Sequence, residues 1–113
     1  MTAARHIRLQ GFTLIGRHEM IARLRDAFQY GHADLIDFQM FSNAAINFSF
    51  EVAGHHLTEL GKALAATQIT LDKESVASMT KDGEADEIVN GSLNVTFIHS
   101  DPDLRIPVPP IPG

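Results

Sequence analysis

The 113 residues contain no cysteine and no tryptophan. Without thiols the chain has no disulfide staple, no thiol nucleophile and no thiolate zinc site. No window approaches the roughly 18 apolar residues of a membrane span. A basic surplus is also missing. The formal net charge of −5 leaves nothing to release counterions from phosphates or to hold an anionic membrane, so neither nucleic acid nor membrane is expected as a partner. The glycine fingerprint of dinucleotide sites, the phosphate loop and the nucleophile elbow are all absent, so no cofactor and no catalytic residue is assigned. Met1-Thr-Ala-Ala-Arg-His-Ile-Arg-Leu-Gln10 carries charges where a secretory leader needs an apolar run, and the expected location is cytoplasmic. Three glycosylation triplets, at Asn47, Asn90 and Asn94, then read as ordinary strand residues.

What is present suits one domain with a real core: 44% of the residues are hydrophobic and 20% charged. The most regular stretch runs from Ala33 to Val52. Leu35-Ile-Asp-Phe-Gln-Met-Phe41 and Ala45-Ile-Asn-Phe-Ser-Phe-Glu-Val52 alternate apolar with polar residues, the period of half-buried strands. Ser42-Asn-Ala44 between them is short enough for a hairpin. This parity turns Ile36, Phe38, Met40, Ile46, Phe48, Phe50 and Val52 toward the core.

Residues 6–15 read as a strand in which Ile7 and Leu9 change parity to Phe12 and Leu14, which predicts a bulge at Gly11. Residues 17–30 read as a helix with Met20, Ile21, Leu24, Ala27 and Phe28 in one stripe, leaving through a left-handed Gly31. A second helix covers about 55–66, with Leu57, Leu60, Gly61, Leu64 and Ala65 inward and Gly61 packed closely on the sheet. Ile69 and Leu71 open a strand continuing through Val76 to Met79, and Leu93, Val95 and Phe97 mark a last one. The order is β-α-β-β-α-β with an extra C-terminal strand. Right-handed crossovers place both helices on one face of an antiparallel sheet, a ferredoxin-like α+β sandwich over residues 1–103. Residues 104–113, Leu104-Arg-Ile-Pro-Val-Pro-Pro-Ile-Pro-Gly113, form a Pro-rich tail. Its Ile106, Val108 and Ile111 favour docking, on this chain or on a partner.

Gly16 in the first strand-to-helix turn, Met20-Ile-Ala-Arg-Leu24, the exit at Gly31, Asp34-Leu-Ile-Asp37 and the hairpin into Ile46-Asn-Phe-Ser-Phe50 together resemble an ACT-type regulatory domain over about residues 7–72. Such domains bind amino acids or similar small molecules and usually dimerise. The resemblance implies a ligand site at Gly16, Arg17 and His18, with Asp34 and Ile36 on the facing strand. Arg17-His18-Glu19 stands where the family usually has Pro-Gly.

Six histidines raise the question of a metal. His55 and Glu59 lie one helical turn apart, but a site needs three or four ligands and no third donor stands at a diagnostic spacing, so no metal site is assigned. The sheet face away from the helices carries His6, Arg8, Gln10, Asp37, Gln39, Asn47, Ser49, Glu51, Asn94 and Thr96, with Leu35, Phe41 and Ile98 mixed in. Solvated faces are usually rich in lysine and glutamate, and the strands have no lysine on this side. Three functions follow. The first is a non-enzymatic small-molecule-binding or regulatory domain acting as a homodimer. The second is a small enzyme resembling the dimeric α+β barrels, with His6, Arg8, Asp37 and Glu51 in an inter-sheet pocket. The third is a protein–protein assembly module.

Overall fold

The computed structural model describes residues 4–98; the Pro-rich tail and its expected docking lie outside the described residues. Two ten-residue strands, β1 (Ala4–Thr13) and β5 (Ile88–Phe97), run parallel side by side. β3 (Ala45–Ala53) is antiparallel to β5, and β2 (Asp34–Ser42) is antiparallel to β3 and forms one edge. β4 (Thr70–Leu71) forms the other edge, antiparallel to β1. The order across the sheet is β2-β3-β5-β1-β4. With α1 (Arg17–Tyr30), a 3-10 turn over Gly54–His56, α2 (Leu57–Ala65) and α3 (Lys73–Ser78), this is an α+β fold with a five-stranded mixed sheet and three helices. The last strand is not appended to an antiparallel sheet. It enters the middle, because Val89, Leu93, Val95 and Phe97 give it a fully apolar inner face that only a central position can cover on both sides.

The inner face of the sheet packs against the stripes of α1 and α2. Met20, Leu24 and Phe28 of α1, Leu57, Leu60 and Leu64 of α2, and Ile46, Phe48, Phe50 and Val52 of β3 are all buried. The Phe28 ring sits 5.8 Å from Phe48 and 5.0 Å from Phe50, spacings typical of favourable aromatic pairs. Ala65 falls outside the stripe and is exposed.

Several local expectations are overturned. β1 pairs with β5 without a break from Ala4 to Thr13, so there is no bulge at Gly11; parity persists, and Phe12 and Leu14 face outward, 43% and 67% exposed. Gly11 is small because a Cβ there would lie 2.8 Å from the Thr70 carbonyl oxygen of the short edge strand. Gly31 has φ −84°, and the left-handed residue is instead its neighbour His32, φ 64°. Gly31 serves helix contact: a Cβ would stand 2.7 Å from the Leu60 Cα. Gly61 likewise makes room for Met79 rather than for the sheet. Residues 73–78 are helix, not strand. Asp72 caps α3 by accepting from the Ser75 amide at 2.8 Å, and the Ser75 hydroxyl accepts from the Gln10 amide at 2.7 Å. The short α3 thus satisfies the edge of β1 where β4 stops.

On β2 the expected parity holds from Asp37 to Met40 but is broken at Ile36, and the shielding is incomplete. Phe38 lies opposite Phe48 and Met40 opposite Ile46, yet they remain 42% and 48% exposed because β2 is an edge strand beyond the reach of the helices. Ile36 and Phe41 are the extra residues at two register shifts and are more exposed still. Leu35, opposite Phe50, turns inward and packs on the core rather than joining the open face.

Candidate functional site

The register of the four long strands arranges the uncovered face in rows. His6 lies beside Asn90, Glu51 and Asp34; Arg8 beside Ser92, Ser49 and Asp37; Gln10 beside Asn94, Asn47 and Gln39; Phe12 beside Thr96, Ala45 and Ser42. Basic groups stand on β1, carboxylates on β2 and β3, and short neutral side chains on β5 between them. Four strands about 4.8 Å apart and about 30 Å long give a face of roughly 600 Å² in projection, close to the ~800 Å² that each partner contributes to a standard interface.

The first turn forms a second feature. Gly16 precedes α1 without a side-chain cap, leaving the amides of the first helical turn without a capping oxygen. Arg17 reaches the β2–β3 hairpin, donating from Nη1 to the carbonyl oxygen and Oδ1 of Asn43 at 3.5 and 3.4 Å. Its Nε is buried and has no hydrogen-bond partner among the described residues. His18 is exposed on α1. Asp34 and Ile36 do not join this turn: they lie at the far end of β2, most of its roughly 30 Å length from the hairpin. Asp34 belongs instead to the first row of the open face.

On the helix side, three side chains from separate places converge. His32 follows α1, His56 ends the 3-10 turn and Glu59 lies in the first turn of α2. Glu59 Oε1 stands 3.4 Å from His32 Nε2 and 3.5 Å from His56 Nδ1. The His32 and His56 rings stack at 4.3 Å, and His55 leans on His56 at 4.0 Å. Thr58 donates to Asp82 Oδ1 from its amide at 2.9 Å and its hydroxyl at 3.0 Å. Those bonds, the backbone one foremost, hold the Asp82 carboxyl below its ordinary value of 3.8, and His55 and His56 add to the effect. Glu59, His55, Thr58 and Asp82 also line a groove of about 1000 Å³ between α1 and α2, with Arg23 and Lys62 on its walls.

No family model, curated protein or solved structure matches this chain. The site therefore rests on chemistry and geometry alone.

The chain's pattern gave the polar residues His6, Arg8, Gln10, Asp37, Gln39, Asn47, Ser49, Glu51, Asn94 and Thr96 of the open face by parity, but it turned Phe12 inward and Leu35 outward. It missed the convergence on Glu59. The pair one turn apart, His55 and Glu59, is not the one that meets; His56 turns to Glu59 instead. The third donor, His32, lies 27 positions away in sequence from Glu59. Only the contact of α1 with α2, made possible by Gly31, brings it near. A histidine immediately after a helix-ending glycine was the one available signal.

Proposed function

We propose that this chain is a non-enzymatic, ACT-like binding domain that works as a homodimer through its open sheet face. The supporting observation is the row pattern. A two-fold axis parallel to the strands, between β3 and β5, lays β1 of one copy over β2 of the other and β5 over β3. His6 then meets the partner copy's acidic row, Arg8 faces the position of Asp37, and Gln10 faces that of Gln39. Such self-complementarity is what an isologous interface requires. With β5 set aside, the order β2-β3-β1-β4 is that of a ferredoxin-like sandwich, which supports the finer fold reading. The small-molecule ligand belongs at Gly16, Arg17 and His18. There the uncapped helix start and the positive charge of Arg17 favour a carboxylate such as that of an amino acid.

Sedimentation at micromolar concentration tests the dimer. The wild-type chain is expected to sediment as a dimer, Arg8→Asp and Asp37→Arg each as monomers, and their mixture as a heterodimer. A wild-type monomer, or dimers indifferent to both changes, overturns it. The same row favours a second reading, a small enzyme of the dimeric α+β barrel type with Arg8 and Asp37 in an inter-sheet pocket. That reading requires a turnover that Asp37→Asn removes while the dimer persists.

A further inference from the structure

We propose that His32, His56 and Glu59 form a three-ligand site for a borderline divalent cation of the zinc class. The three donor atoms come from the α1–β2 connection, the 3-10 turn and α2, and all lie within 4.8 Å of one another. The distances identify the kind of contact. Charge-assisted N–H···O bonds settle at about 2.7–2.9 Å, whereas Glu59 Oε1 stands 3.4 and 3.5 Å from the two ring nitrogens. Ligands at 2.0–2.2 Å from a tetrahedral ion are about 3.3–3.6 Å apart. Both nitrogen–oxygen separations fall in that range, as two ligands of one tetrahedral ion would require. The two ring nitrogens also lie within 4.8 Å of each other, and the His32 side chain is 53% exposed.

The chemistry selects the ion. Two imidazoles and one carboxylate suit zinc, cobalt or nickel, while calcium and magnesium prefer oxygen ligands alone. Three protein ligands leave the fourth position open, and the exposure of His32 and Glu59 gives it to solvent. His55 touches the His56 ring at 4.0 Å but holds none of the three donor atoms. His32 takes φ 64° at the exit of α1, a left-handed conformation in which histidine, like asparagine, is enriched. The cluster lies on the helix layer, remote from the sheet face, so the dimer and the ion stand or fall separately.

Cobalt(II) and zinc titrations of the full chain test the assignment. One equivalent of cobalt is expected to give the intense visible bands of a four-coordinate ion, displaced by zinc, with ring resonances of His32 and His56 shifting while those of His6 and His18 stay. His32→Asn suits the left-handed backbone and Glu59→Gln keeps a good helix former, so both variants retain the fold while each weakens zinc binding about tenfold or more. His55→Asn leaves binding within a few-fold of wild type. No saturable uptake, pale octahedral cobalt, or unchanged affinity in His32→Asn and Glu59→Gln overturns the proposal.

Discussion

At the scale of single residues, the absence of a side chain decides as much as its presence. Gly91 on β5 lies directly opposite Phe50, and a Cβ there would stand 2.2 Å from the Phe50 ring. The ring fills the space above the glycine backbone and from there reaches Phe28. Gly91→Ala is therefore expected to lower stability by about 1–3 kcal/mol, the usual range for overpacking, as read by urea denaturation. The asymmetry of β2 and β3 gives a second expectation. Phe48→Ala removes a ring buried on all sides and should cost about 3–5 kcal/mol. Phe38→Ala, on the same inward face but at the sheet edge, should cost well under half as much in the same assay. Parity placed both phenylalanines correctly; exposure separates them because coverage depends on the strand's place in the sheet.

At the scale of elements, α1 reads from the chain to the residue, Arg17 to Tyr30, because its apolar stripe is long and its ends are marked by glycines. The segment 73–78 does not. Six residues hold too little periodicity to distinguish helix from strand, and the deciding contact is Asp72 capping Ser75. The hydroxyl and amide of Ser75 hold the Asp72 carboxyl below its ordinary value of 3.8. A carboxylate whose folded pKa is depressed adds stability above its unfolded pKa and loses it as pH falls through the folded one. Asp72→Asn should therefore flatten the loss of stability as acid is added below about pH 4, seen as a smaller drop in Tm between pH 5 and 3 than wild type shows.

For the whole molecule, the sheet divides the work. One face is sealed by α1 and α2 over an apolar core; the other presents rows with opposite charge at opposite margins. Charge contacts across such a face weaken with salt, so the dimer expected from sedimentation should dissociate more readily at 1 M sodium chloride than at 0.1 M. The described residues contain no helix long and apolar enough to cross a membrane.

By itself the sequence determined the oily side of β3 and β5, where α1 and α2 lie, and that neighbouring charges on β1 and on β2 and β3 share a face. These follow from periods of two and of 3.6 residues, which are local properties of the backbone. Tertiary structure alone decided that β5 enters between β1 and β3, that β2 is left half-covered at the edge, and that His32 arrives beside His56 and Glu59. Each of these depends on which surfaces compete for the same partner in space, and no local period encodes that competition.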